Sequence, residues 1–121
     1  MGYVKQPFSP YAATTQNLGS YVTTGDTSII TLFDGKVDFT YMTYLIFNWT
    51  MRNTVAPHTI RLWMTIDGVT KFDHTTQAQV RYWEQINTAM ISSKKTLAIY
   101  ARNSDVLGAA EVDNLIWYMA E

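Results

Sequence analysis

The chain has 121 residues, 47% of them hydrophobic, with nine Lys or Arg against ten Asp or Glu. This length fits one domain with a single core, and the balanced charge argues against the basic surface typical of nucleic-acid binding. Without cysteine, disulfides and thiolate chemistry are excluded. No run reaches the roughly 20 apolar residues that span a bilayer, and a secretory signal pattern is missing. We therefore expect synthesis in the cytoplasm and neither membrane nor nucleic acid as a partner.

Residues 1–20 are predicted to form an extended amino-terminal arm. Two of the three prolines lie here among Ser, Thr, Gln and Asn, and proline removes a backbone donor, so the segment does not suit a central strand. Its aromatic residues are Tyr3, Phe8 and Tyr11. The arm either lies on its own domain, predicted as residues 21–121, or docks these aromatic side chains on an adjacent subunit.

Beyond the arm, apolar residues recur at every second position, which is the pattern of a β-strand. In the clearest run, Thr40 to Arg52, one face carries Tyr41, Thr43, Leu45, Phe47, Trp49 and Met51, and the other carries Met42, Tyr44, Ile46, Asn48 and Thr50. At about 3.3 Å per residue the run is longer than most strands, so we predict a bulge or bend within it. Asp34-Gly35 lies between apolar runs and predicts a two-residue hairpin turn.

A second hairpin is predicted at Asp67-Gly68, because an alternating run precedes it and the segment Val69 to Phe72 follows it. The inward residues of the first run would be Ile60, Leu62, Met64 and Ile66. The stretch Gln77 to Met90 fits either a strand or a helical stripe. We predict a strand there because β-branched and aromatic residues are frequent in it.

Two further strands are predicted at Lys95 to Arg102 and at Glu111 to Met119. The last strand has Val112, Asn114, Ile116 and Tyr118 on one face and Asp113, Leu115, Trp117 and Met119 on the other. A strand that is apolar on both faces is buried on both, so its second face lies in a covered sheet or meets another chain. About eight strands without interleaved helices predict an all-β fold, a single two-sheet antiparallel sandwich of the jelly-roll type.

No spacing of catalytic or metal-binding residues occurs in the chain. His58 and His74 are the only histidines, and sequence places at best one acid beside either, whereas a metal site needs three or four convergent ligands. A nucleophile elbow and a Gly-rich phosphate loop are also missing. We therefore predict no catalytic residue, no metal, no cofactor and a protein that is not an enzyme.

Trp63 and Trp83 are the candidate ligand-binding residues. Each lies opposite the aliphatic side of its predicted strand, two residues after Arg61 or Arg81. An exposed row of aromatic rings flanked by polar side chains can stack on sugar rings, and in a subunit interface the same row supplies anchors. A third alternative is that both tryptophans fill the core.

Three motifs follow one another in the second half of the chain: Tyr82-Trp83-Glu84-Gln85, Leu97-Ala98-Ile99-Tyr100-Ala101 and Val112-Asp113-Asn114-Leu115-Ile116-Trp117. This order resembles the closing half of jelly-roll carbohydrate-binding modules. These modules often show an aromatic pair that opens a strand, an apolar strand that ends in a small residue, and Asp-Asn before apolar residues. The resemblance implies a jelly roll and makes carbohydrate the alternative partner.

The Cys-free, Thr-rich chain with its arm and two-sided last strand is also similar to small β proteins of phage and virus particles. That class includes capsid decoration, head-fibre and single jelly-roll shell proteins. The resemblance implies a structural virion protein, made in the host cytoplasm, that forms a homo-oligomer or binds other particle subunits. The candidate interface residues are Tyr3, Phe8, Tyr11, Tyr44, Ile46, Trp117 and Met119.

Overall fold

The alternating runs of the sequence form eight strands. The structure, a computed structural model, describes residues 15–40, 42–91 and 93–120, with side chains from residue 21 to residue 118 of these ranges. The strands of this part of the chain are β1 (Thr15–Thr24), β2 (Ile30–Asp38), β3 (Tyr44–Asn53), β4 (Ile60–Ile66), β5 (Val69–Thr76), β6 (Val80–Asn87), β7 (Lys94–Asn103) and β8 (Ala109–Ala120). The prediction of an all-β chain with about eight strands is confirmed.

The strands form two antiparallel four-stranded sheets. Sheet I has the order β1-β8-β3-β6, and sheet II has the order β2-β7-β4-β5. Apart from β4 and β5, consecutive strands belong to different sheets, so the chain crosses repeatedly from one layer to the other. Eight strands arranged in two sheets in this way form a jelly roll, as the sequence predicted.

The core consists of the side chains that point between the sheets. In β3 the inward residues Leu45, Phe47, Trp49 and Met51 are buried, and the residues between them are half-buried on the outer face. Their partners in sheet II include Leu62, Met64, Leu97 and Ile99. Burying a side chain of this size stabilises the fold by roughly 1.5–3 kcal/mol, which explains why these four alternate residues of β3 face inward.

The two predicted hairpins have different outcomes. Asp67-Gly68 does connect β4 to β5, and both residues have positive φ, 48° and 81°, as a type I′ turn requires. The hairpin at Asp34-Gly35 is wrong, because β2 continues through both residues and pairs with β7, where Gly35 lies opposite Leu97. β2 instead ends at Asp38, and the next strand, β3, begins at Tyr44 in the other sheet.

Three boundaries also differ from the sequence prediction. The long run at Thr40 forms a strand only from Tyr44, and β3 pairs with β6 without a register shift. The ambiguous stretch is a strand, as predicted, but it is confined to Val80–Asn87. Residues 15–20, assigned to the arm, begin β1, which is an edge strand of sheet I. Residues 1–14 lie outside the described part, so an arm there stays a prediction.

The last strand contains a β-bulge that the sequence prediction missed. Asn48 of β3 pairs with Ile116, but Thr50 pairs with Asp113, so β8 contains one extra residue between these pairs. Asn114 lies in the bulge with φ of 52°. The extra residue reverses the alternation, so Val112 before the bulge and Leu115 after it both point into the core. The predicted division of β8 into two regular faces is therefore wrong.

One end of the sandwich is organised by two buried asparagines, Asn53 and Asn103. The Asn53 amide nitrogen donates to Asn103 Oδ1 at 3.1 Å and to the carbonyl of Thr59 at 3.0 Å, and its oxygen accepts from the backbone N–H of Ala109 at 3.0 Å. Asn103 donates to the carbonyl of Gly108 at 2.9 Å. The two asparagine side chains thereby join the β3–β4 loop to the β7–β8 loop, because they bond to each other and to backbone groups of both loops.

Candidate functional site

The outer face of sheet I carries apolar side chains that the core does not use. Trp83 of β6 lies opposite Asn48 of β3, which lies opposite Ile116 of β8. In the next row of the same face Ile46 pairs with Tyr118, and one row further β3 contributes Tyr44. We call the set Tyr44, Ile46, Trp83, Ile116 and Tyr118 the apolar face.

The side chains of the apolar face lie close together on three adjacent strands. Ile46 and Tyr118 are directly opposite one another, a position at which Cβ atoms are about 5 Å apart. Asn48 lies between Trp83 and Ile116 on the middle strand, and strands are about 4.8 Å apart, so the five side chains share one sheet surface about 10 Å wide. Trp83 is 57% exposed, and the other four are half-buried. An aromatic ring this exposed on an edge strand contributes nothing to the core of its own sandwich.

Polar and charged side chains border this patch toward the loops joined by the asparagines. Arg81 pairs with Thr50, and Thr50 pairs with Asp113 on the other side. One row further, Arg52 Nε lies 2.8 Å from Glu111 Oε1. An apolar centre with a polar border is typical of surfaces that bind another macromolecule.

Trp63, the other predicted platform residue, lies on the outer face of sheet II and is covered. The Arg61 guanidinium lies 4.0 Å above its ring, and the ring of Tyr100 is 5.5 Å away. Arg61 is itself held by Asp73, donating from Nε at 2.9 Å and from Nη2 at 2.7 Å. These hydrogen bonds lower the pKa of Asp73 and raise that of Arg61. At 8% exposure Trp63 offers no open ring face, so its role as a sugar platform is not supported.

Trp117, predicted at an interface, is a core residue. Its side chain is 2% exposed, and its ring packs at 5.4 Å from Phe33 and 6.2 Å from Phe47. The bulge at Asn114 turns Trp117 inward together with Leu115. The sequence prediction assumed strict alternation along β8 and therefore did not include this change of face. Tyr44 and Ile46 do lie on an outer face. The side chain of Met119 and the residues Tyr3, Phe8 and Tyr11 lie outside the described side chains.

His74 has a role that the sequence prediction missed. It lies on β5, the edge strand of sheet II, and its Nε2 contacts the carboxylate of Glu84 on β6, the edge strand of sheet I. Its ring also lies 4.6 Å from Tyr82 and 5.8 Å from Trp49. The contact between His74 and Glu84 therefore connects the edge strand of one sheet to the edge strand of the other. The two residues are ten positions apart on consecutive strands that belong to different sheets. Because these strands do not pair with each other, no hairpin register in the sequence brings the two side chains together.

The described residues contain no group of three or more His, Cys, Asp or Glu able to hold a metal ion. Within the same residues no helix is long and apolar enough to cross a membrane.

No protein-family model and no curated protein sequence matches the chain. Solved structures do match. VP2 of infectious bursal disease virus in a subviral particle has a TM-score of 0.59 and 11% identity, covering 90% of this chain and 32% of VP2. The Gx strain of that virus gives a TM-score of 0.60 and 11% identity, covering 90% and 32%. The likeness is one of fold.

A second kind of neighbour is a carbohydrate-binding domain. The CBM36-1 domain of a multidomain xylanase from the hindgut metagenome of Trinervitermes trinervoides has a TM-score of 0.52 and 12% identity, covering 83% of this chain and 76% of that domain. The chain spans about a third of the length of the viral proteins that it matches. The structural neighbours are therefore a viral capsid protein and a carbohydrate-binding jelly roll, the two classes that the sequence resembled.

Proposed function

We propose that the chain is a non-enzymatic structural protein that self-assembles on, or attaches to, a virus particle. The observation that carries this proposal is the apolar face, where Trp83 is 57% exposed and Tyr44, Ile46 and Ile116 lie on the same side of the adjacent strands. A sandwich that already has its own core gains nothing from an aromatic ring in water. Burial of this face against another subunit removes that apolar area from solvent.

The composition of the apolar face suits a subunit interface. Tryptophan and tyrosine dominate the binding free energy of protein interfaces, and the residues that contribute most lie near the centre of the contact within a polar border. Trp83 and Tyr44 have this chemistry, and Arg81 and Asp113 lie in the bordering row. The fold of the viral neighbours supports the same proposal, which includes the virion as the location of the protein.

The test is the solution mass of the full chain, measured by light scattering after size exclusion over a wide concentration range. We expect a closed oligomer whose dissociation constant rises at least tenfold in W83S, because a tryptophan anchor of an interface contributes about 2 kcal/mol or more. V69S is the matched control, since Val69 is 58% exposed on the β4–β5 hairpin away from the apolar face. A monomer at every concentration, or equal weakening by both variants, would contradict self-assembly through this face.

Carbohydrate binding is the second candidate function, and the same exposed ring favours it. Trp83 lies on a sheet surface with the polar side chains of Gln85 and Asn48 beside it, an arrangement that suits stacking on a sugar ring. Binding would change the tryptophan fluorescence of the full chain but not of W83S. A titration without change across a broad panel of oligosaccharides would exclude this function for the apolar face.

A further inference from the structure

We infer that the segment 1–14 of one copy of this chain covers the apolar face of a second copy. The inference rests on the proposed self-assembly and names what occupies the face. It follows from the place where the segment joins the sandwich, from its sequence and from its length. Its aromatic residues are Tyr3, Phe8 and Tyr11.

The segment joins the same sheet that carries the apolar face. The first residue of β1, Thr15, pairs with Tyr118, and Tyr118 pairs with Ile46 across the next strand. Going backward along β1, Thr15 is the residue toward the end of the sheet where Tyr44 pairs with Ala120. The segment therefore joins the edge strand that lies beside the apolar face.

The sequence next to β1 favours a segment that continues away from its own sheet. To cover that sheet, the chain would have to reverse within a few residues of Thr15. Turns use Gly, Pro, Asn and Asp for their special backbone angles, and none of these occurs between Tyr11 and Gln16. The extended continuation brings the aromatic residues to another molecule instead.

The length and the prolines of the segment suit this contact. Twelve residues from Tyr3 to Thr14 span up to about 40 Å when extended, whereas three strands side by side are only about 10 Å wide. Pro7 and Pro10 lack a backbone donor, so the segment is poorly suited to continue a ladder of hydrogen bonds. Contact through the aromatic side chains onto Ile46 and Trp83 is the remaining means of association.

The experiment compares two full-length variants, each with one half of the contact removed. The arm variant Y3S/F8S/Y11S keeps the apolar face, and the face variant I46D keeps the arm. Each alone should show at least a tenfold weaker self-association by light scattering. An equimolar mixture should regain association as a 1:1 complex, because the intact arm of one variant binds the intact face of the other.

Controls separate this contact from general destabilisation. S9A changes the arm without removing an aromatic ring, and T31D places a charge on the exposed outer side of β2 in sheet II; both should assemble like the unmodified chain. W83S replaces I46D as the face variant if thermal melting shows that I46D unfolds.

The outcomes that would overturn only the arm contact differ from the one that would also overturn the proposed self-assembly. An arm variant that assembles like the unmodified chain would overturn the inference while the proposed assembly stands. Two variants that each lose association but do not recover it when mixed would also overturn it, because the arm would then act within its own copy. An unmodified chain that stays monomeric would overturn both proposals.

Discussion

Gly108 shows how tightly a single position is constrained in this sandwich. A Cβ atom there would lie 2.5 Å from Asn103 Oδ1 and 2.7 Å from Asn53 Nδ2. Both amides are buried, and their hydrogen bonds join two loops to the ends of the strands. Neither asparagine can move aside without leaving a buried polar group unpaired, which costs roughly 1–3 kcal/mol for each group.

We predict that G108A lowers the free energy of unfolding by about 2–3 kcal/mol, as overpacking of a close contact does. G68A is the matched control, because Gly68 has a positive φ of 81° but no atom within 4 Å of an added Cβ. Its loss should be about 1 kcal/mol, from backbone strain alone. Denaturant unfolding measures both values, and a G108A loss no larger than that of G68A would show that the amide network yields to the methyl group.

At the scale of the element, the bulge in β8 decides which side chains reach the core. Ala110 and Val112 before it, and Leu115 and Trp117 after it, are all buried on the same side of the strand. Without the extra residue, one of these pairs would point outward, since a shift of one residue reverses every side chain. Asn114 has the positive φ that this bulge requires, and asparagine tolerates this conformation better than most residues.

We predict that N114V lowers the free energy of unfolding by about 1–2 kcal/mol, because a β-branched side chain is strained at positive φ. N114G should stay within about 1 kcal/mol of the unmodified chain, since glycine adopts this conformation freely. Denaturant unfolding of both variants provides the comparison. If N114V and N114G were equally stable, the positive φ of residue 114 would impose no measurable strain on a β-branched side chain, and the prediction would be wrong.

At the scale of the whole molecule, several carboxyl groups make the fold sensitive to acid. The side-chain hydrogen bonds from Arg61 lower the pKa of Asp73, the backbone N–H of Ser28 lowers the pKa of Asp26, and the Thr40 hydroxyl lowers the pKa of Asp38. A carboxyl whose pKa is lower in the folded state than in the unfolded chain stabilises the fold above its unfolded pKa. That stabilisation is lost as the pH falls through the folded value.

We predict that the melting temperature falls on acidification below about pH 4, near the unfolded pKa of aspartate. D73N should melt lower than the unmodified chain at pH 6, and the difference should shrink as the pH falls below about 4 and Asp73 becomes protonated. The difference at pH 6 corresponds to about 1 kcal/mol or less, because the Arg61 and Asp73 side chains are partly exposed and screened. D34N, which removes an exposed carboxylate, is the control, and a D73N difference that is independent of pH would contradict this account.

Local sequence patterns determined much of this architecture. The inward faces of β3 and β4 follow directly from alternation, and Asp67-Gly68 closes a hairpin because its turn conformation depends on two adjacent residues. These features involve residues that are close together in the chain. The all-β class, the number of strands and the jelly-roll type could be predicted for the same reason, since each strand and turn has its own local signal.

Pairing between distant segments decided the rest. Asp34-Gly35 has a hairpin sequence, yet β2 continues through both residues because it pairs there with the distant strand β7. Trp63 and Trp83 follow arginines at the same spacing, but only Trp63 is covered, because strand neighbours place Tyr100 and the paired Arg61 and Asp73 around it. By itself the sequence determined which segments are strands and which faces of β3 and β4 point inward. Only the tertiary structure decided how the strands pair, where β8 changes face and which outward side chains stay exposed, because these features depend on contacts between residues far apart in the chain.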